Sequence, residues 1–195
     1  MRKYIAIAAL TFVTACGGGS GANTGKVEET KKDEPLAQSK NSSDFNSKFT
    51  NFLNNYYHLK DAFVSSSNEM AATSASLLSK SADSLDLSSV KADNSIVDMA
   101  KGYVQTVSSE AKALAQEKDI EAKRKSFQMI SDAMYDLVRT VRFDREVVYH
   151  QFCPMAFNDA GAYWLSGSAD VKNPYFGKKM LTCGEVKDSI DFRGK

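Results

Sequence analysis

The sequence predicts a mainly α fold: an up-and-down four-helix bundle followed by a short irregular or β segment rich in cysteine and methionine. Two observations carry this. From Phe45 to Phe143 apolar residues recur every three or four positions, the period of one helix face, and no proline occurs between Pro35 and Pro154 to break it. After Phe143 the period is lost, and glycine, proline, aromatic residues and sulfur crowd into residues 144–186.

Each helix follows from its own stripe. Phe45, Phe49, Phe52, Tyr56, Leu59 and Phe63 share a face and predict a helix over about 44–65. Ser66 and Glu69 stand at capping-box spacing, and Met70, Leu77, Leu78, Ala82 and Leu85 predict a second amphipathic helix to about residue 85. Ile96, Ala100, Tyr103, Val107, Ala111 and Leu114 predict a third over about 93–116. Asp119 is placed to cap a fourth, whose stripe is Ile120, Phe127, Ile130, Met134, Leu137 and Val141. Short links make successive helices antiparallel, so an up-and-down bundle is the economical arrangement. Stretches such as "EAKALAQEKDIEAKRKS" carry charges of both signs and read as solvated faces. Tyr56, Tyr57, Met134 and Tyr135 read as packing residues.

The first 43 residues divide into two parts. "MRKYIAIAALTFVTAC" opens on Arg2 and Lys3, continues through an apolar run from Tyr4 to Val13 and closes on small residues before Cys16, the layout of a secretory signal. The apolar run is too short to span a bilayer as a helix. Val13, Thr14, Ala15 and Cys16 resemble a bacterial lipobox, which implies a signal peptide over 1–15 and a lipid-bearing Cys16. Gly17 rather than aspartate after the cysteine favours the outer membrane, with the domain facing the periplasm. Residues 16–43, rich in Gly, Ser, Lys and Glu, lack the apolar surface to offset ordering entropy and read as a flexible tether. The folded domain is then expected over 44–191.

Charge and motif content exclude several classes. Of 25 basic residues Arg2 and Lys3 fall in the leader, so 23 face 24 acidic residues in the remainder. Near-neutral balance without a basic block gives no electrostatic case for nucleic acid. Only two histidines occur, His58 and His150, with no H-x-x-x-H or E-x-x-H pair, which removes the usual bundle-borne zinc and di-iron sites. His58, beside the first stripe, reads as a surface residue. There is no G-x-S-x-G, no C-x-x-C and no phosphate loop, so an enzyme is not expected.

The chemistry concentrates in "VYHQFCPMAF" and "KKMLTCGEV". In an extended strand alternate side chains share a face, so Cys153 and Met155 would point the same way as Gln151, with His150 on the other face unless Pro154 or a bulge turns it. Met180 and Cys183, three apart, align on one side of a helical turn. Two such arms can converge on a soft monovalent cation, for which thiolate and thioether are the matched donors. The competing reading is a Cys153 to Cys183 disulfide, which is favoured outside the cytosol and would stabilise the fold by roughly 3 to 4 kcal/mol through the loop it closes.

Four stretches, "YYHLKDAFV", "EAKRKSFQMISDAMYDLV", "CPMAFNDAGAYWLS" and "VKNPYFGKKMLTCGEV", resemble the domain of unknown function 3347 family over about residues 45–191. Members occur as free exported proteins and fused to periplasmic adaptor subunits of heavy-metal efflux pumps. The resemblance implies handling of copper(I), with silver as its mimic. Its C-P-M falls on Cys153, Pro154 and Met155, and its M-x-x-C-G on Met180, Cys183 and Gly184; with His150 these form the candidate metal set. The adaptor's hairpin and barrel domains are absent from this chain, so a free carrier or sensor is the nearer analogue than a pump component. The expected function is a lipid-anchored envelope protein that binds cuprous copper for sequestration or transfer linked to metal efflux, its partners being the membrane and envelope efflux proteins. The alternative is a structural or interaction lipoprotein carrying the disulfide. Gly161, Gly167, Gly177 and Pro174 are expected to set turns, and Tyr163, Trp164, Tyr175 and Phe176 to cover the end of the bundle.

The anchor has a direct test. Cys16→Ser should move the protein from the envelope pellet to the soluble fraction on cell fractionation; equal pelleting of parent and variant would remove the anchor.

Overall fold

A computed structural model describes residues 41–194; the leader, Cys16 and the tether as far as residue 40 lie outside the described residues. The first helix, α1 (Ser43–Val64), starts at Ser42, whose Oγ accepts the Phe45 N–H at 3.1 Å. It buries Phe45, Phe49, Phe52, Tyr56, Leu59 and Phe63, the stripe expected from the sequence. Helix α3 (Asn94–Gln116) and helix α4 (Ile120–Thr140) also fall where their periods put them. Asp119 caps α4 by accepting the Ala122 N–H at 2.7 Å. Among the described residues no helix is long and apolar enough to cross a membrane.

Three local expectations are corrected. Helix α2 (Asn68–Asp83) buries Ala71, Ala75, Leu78 and Ala82, whereas Met70 is 54% and Leu77 48% exposed. Small residues on that face let α2 approach its neighbours closely, and the two large residues are left outside. Its cap is Ser67, which accepts the Met70 N–H at 3.2 Å. Ser66 instead takes the left-handed conformation (φ 56°) that ends α1, with the Ser67 N–H bonded back to the Ala62 carbonyl at 3.0 Å. The third correction concerns the charged run. Lys123 and Arg124 are buried, their charged heads closing the end of the bundle. Lys123 Nζ donates to the Asn68 carbonyl at 3.0 Å, and Arg124 Nε donates to the Pro174 carbonyl at 3.0 Å. Arg124 also pairs with Glu121. Both side chains run their apolar stems through the packed end and place their charged heads on backbone carbonyls, one in the first turn of α2 and one in the loop before Gly177.

Successive helices pack on one another, and α1 meets α4 through large aromatic side chains rather than close backbones. Tyr56 and Phe127 have ring centroids 5.6 Å apart and Phe63 and Phe127 5.0 Å, and just past the end of α4 Phe143 meets Phe49 at 4.8 Å. That wider side of the bundle receives a small antiparallel sheet. Its strands are β1 (Val148–Cys153), β2 (Ala162–Ser166) and β3 (Glu185–Ile190), in the order β2-β1-β3. The β character expected for the C-terminal segment therefore takes the form of a sheet that runs past residue 186 to Ile190. Strand β2 lies against α4 and touches α1.

One buried hydroxyl ties the sheet to both helices. Tyr56 Oη on α1 accepts the Leu165 N–H of β2 at 2.9 Å and shares a hydrogen bond with Ser131 Oγ of α4 at 2.8 Å. Burial raises its pKa far above the ordinary phenol value, so the group stays neutral. Residues 173–180 cover the end of the bundle where α1 finishes, as expected for Tyr175, whose ring lies 5.8 Å from Phe127. Gly177 (φ +55°) is required at that contact, because a Cβ there would stand 2.3 Å from Ser66 Oγ and 3.0 Å from the Val64 carbonyl oxygen.

Tyr56→Phe keeps the ring and removes the acceptor for a buried N–H. Urea denaturation should show a loss of about 1–3 kcal/mol, with a smaller loss for Ser131→Ala, which leaves the Leu165 bond intact. Equal stability of Tyr56→Phe and parent would refute the junction.

Candidate functional site

Two places in the fold gather polar or reactive groups. A hollow of about 850 Å³ lies between α3 and the connection after α2, lined by Asp83, Asp86, Lys101 and Lys112 among others. Its cations already have partners, Lys112 with Asp83 at 2.9 Å and Lys101 with Asp98 at 2.9 Å, and Asp86 accepts the Ser88 N–H at 2.9 Å, so no side chain is aimed into it at a ligand. The other place is the open end of the sheet, where β1 finishes and β3 begins, and there the chemistry is specific.

Cys153 is the last residue of β1 and Cys183 lies in the turn before β3. Their sulfur atoms are 3.2 Å apart and both thiols are free. Cys153 is fully buried, paired across the sheet with Ala162, while Cys183 is half-buried. The hydrogen bond between the two thiols, reinforced by desolvation, pushes the Cys183 thiol above its ordinary value. Gly184 makes the approach possible. At φ +137° it passes so close to β1 that a Cβ would stand 2.7 Å from the Phe152 carbonyl oxygen and 2.9 Å from the Trp164 ring.

The other candidate residues are distributed around this pair. Met180 closes the 3₁₀ turn Gly177–Met180, and its carbonyl accepts the Cys183 N–H at 3.1 Å, so the two residues share one tight turn. Met155 has left the strand: β1 stops at Cys153, Pro154 turns the chain, and Met155 is 44% exposed. It lines a groove with Glu121, Arg124, Phe157 and Tyr175 whose walls include neither cysteine. Strand alternation puts Gln151 and Cys153 on one face, opposite Trp164 and Ala162, and His150 on the other, opposite Leu165. His150 is stacked between Tyr135 of α4 at 3.9 Å and Tyr163 of β2 at 4.5 Å. His58 shares none of these contacts. Among the described residues no group of three or more His, Cys, Asp and Glu side chains is gathered as for a metal ion.

Sequence reasoning missed the residues that hold the cysteines in place. Asn173, fully buried, accepts the Tyr175 and Phe176 N–H groups at 2.7 and 3.1 Å and donates through Nδ2 to the Cys183 carbonyl at 2.7 Å. Gln151, also fully buried, donates through Nε2 to the carbonyls of Ser168, Ala169 and Asp170 and so pins the loop after β2 to the centre of β1. The Asn173-Pro174 dipeptide was a turn signal that marks the first. Nothing in the local sequence marks the second.

The donor types suit a soft ion: two thiols, with a thioether in the same turn as one of them. A low-coordination soft ion held by both sulfurs opens the sulfur–ion–sulfur angle widely, so the sulfurs would have to spread from their present 3.2 Å. Disulfide closure requires the opposite movement, to about 2.05 Å.

The stacked histidine has a signed pH dependence. Burial, opposed by Asp188 and Asp136 and aided by Arg139, lowers the His150 pKa below its usual 6.5. The unfolded chain therefore takes up the proton first as pH falls. The stabilising contribution is complete above pH 6.5 and is lost as pH drops toward the depressed folded value. Denaturation midpoints measured between neutral pH and about pH 5 should fall less steeply in His150→Phe than in the parent; parallel curves would show that His150 does not couple to folding.

No curated protein and no solved structure matches the chain. A family match does exist, running from within α1 to the turn before β1, so that it covers the helices and stops short of both cysteines. Residues 52–146 match the model of the family described as "Protein of unknown function (DUF3347)", the family that the sequence motifs resemble.

Proposed function

We propose that this is a lipid-anchored envelope protein that takes up cuprous copper, or silver as its mimic, on the Cys153–Cys183 dithiol, for sequestration or for transfer to envelope efflux proteins. One observation carries the reading. Two thiols thirty residues apart in the chain stand unjoined at 3.2 Å, with Cys183 reachable from solvent and Met180 in its own turn. Soft, low-coordination ions are matched by thiolate and thioether donors, and zinc, which prefers four nitrogen or sulfur donors without methionine, is not. The lipobox-like leader ending at Cys16 supports the envelope location.

A second reading has its own observation in its favour. The sulfur separation is shorter than a metal-bridged pair requires, and His150 and Met155 take part in other contacts. This favours a disulfide-stabilised interaction lipoprotein.

Competition of the reduced protein against a cuprous chelator separates the two. Under the copper reading the parent takes one equivalent, Cys153→Ser/Cys183→Ser takes none, and Met180→Leu binds more weakly at a stability cost under about 1.5 kcal/mol. Met155→Leu should weaken binding less, because Met155 lines a different groove. Failure of the reduced parent to compete would end the copper reading in favour of the disulfide.

A further inference from the structure

The two thiols differ in access and in how firmly they are held. Cys153 is fixed: it closes a strand, is paired with Ala162 and is inaccessible to solvent. Cys183 is half-buried and lies in a turn, its backbone held by the Met180 carbonyl at 3.1 Å and by Asn173 Nδ2 at 2.7 Å. Any reagent arriving from solvent meets Cys183 first and has Cys153 behind it at 3.2 Å. That order of access is the arrangement of an entry thiol with a resolving thiol; it rests on exposure and not on acidity, since the Cys153 hydrogen bond holds the Cys183 thiol above its ordinary value.

We propose that the pair is an ordered thiol–disulfide exchange couple, in which Cys183 reacts with a small-molecule disulfide and Cys153 resolves the product. In the first step the Cys183 thiol gives its proton to solvent and the thiolate attacks one sulfur of the disulfide. A sulfur–sulfur bond forms at Cys183, the bond within the reagent breaks, and one reagent thiolate leaves and is protonated. In the second step Cys153 gives up its proton and its sulfur attacks Cys183 Sγ. The protein disulfide forms and the second reagent thiolate leaves and takes a proton. Two cysteines are oxidised and one small disulfide is reduced to two thiols, so electrons and protons balance. Closure asks the sulfurs to approach by about 1.1 Å. The consequence for metal rests on the proposed function: the oxidised pair has no thiolate left to offer, so oxidation state would gate copper uptake. The exchange chemistry does not rest on that reading.

Oxidised glutathione is the probe, applied to the reduced protein and followed by mass spectrometry with circular dichroism on each variant. The parent should lose two hydrogens and retain no adduct. Cys153→Ala, a small apolar replacement at a buried site, should retain one glutathione on Cys183. Cys183→Ser should react slower than Cys153→Ala by about tenfold or more, because Cys153 reacts only through local opening. If Cys153→Ala misfolds, the parent still decides, since its first adduct, trapped by rapid acid quench and peptide mapping, must sit on Cys183. An adduct on Cys153, comparable rates in the two variants, or a stable mixed disulfide on the parent would overturn the proposal. Chelator competition on reduced and oxidised parent is the separate arm: exchange as expected with no copper uptake by the reduced form removes the metal reading alone.

Discussion

The seating of the sheet on the bundle, and with it the position of Cys153, depends on one buried hydroxyl. Tyr56 is the place where α1, α4 and β2 meet, and its oxygen has a partner on each of the other two elements. A phenol removed from water must be satisfied within the protein, and an unsatisfied buried group costs about 1–3 kcal/mol. Leu165 is the residue whose N–H meets it, which fixes β2 along the bundle. With β2 fixed, the antiparallel register sets Gln151 opposite Trp164 and Cys153 opposite Ala162. The aromatic spacing between α1 and α4 leaves the width that the sheet fills, so bundle and sheet form one core.

The helices were legible because their information is local. A three-to-four residue period, a capping aspartate and the absence of proline specify α1, α3 and α4 without reference to anything distant. Helix α2 shows the limit. Its buried face consists of alanines with Leu78, and alanine carries little signal when larger apolar residues lie one position away. Burial of Lys123 and Arg124 was illegible for a related reason. Their acceptors, the carbonyls of Asn68 and Pro174, are distant in sequence, and a carbonyl looks the same in every residue.

At the candidate site the strand alternation was legible and the turns were not. Gln151 with Cys153 on one face and His150 on the other follows from a period of two. Extending that alternation to Met155 fails because the chain leaves the strand at Pro154 and enters left-handed conformations at Phe157, Asn158 and Asp159, with φ of 53°, 57° and 65°. The nearness of Cys153 and Cys183 depends on the Asn173 hydrogen bonds and on the Gly184 approach to β1, and both are tertiary. The family match, confined to the helices, carries no information about this part of the chain.

Metal capture and disulfide formation demand opposite displacements of the same two atoms. At 3.2 Å the pair stands beyond a covalent bond and short of the separation that suits a low-coordination soft ion. Cys153 cannot supply either movement without disturbing β1, its Ala162 pairing and the packing that buries it. Cys183 can, since it is attached through a turn and an amide side chain. Either movement therefore falls on the stretch between Met180 and Cys183, whose flanks are pinned by the Gly177 contact with α1 and the Gly184 approach to β1. A displacement of Cys183 in either direction is transmitted to Met180 through their shared turn and to Asn173 through its bond to the Cys183 carbonyl. Whichever chemistry operates at the sulfurs, the structural response belongs to this segment, while the bundle and β1 serve as the fixed frame against which it moves.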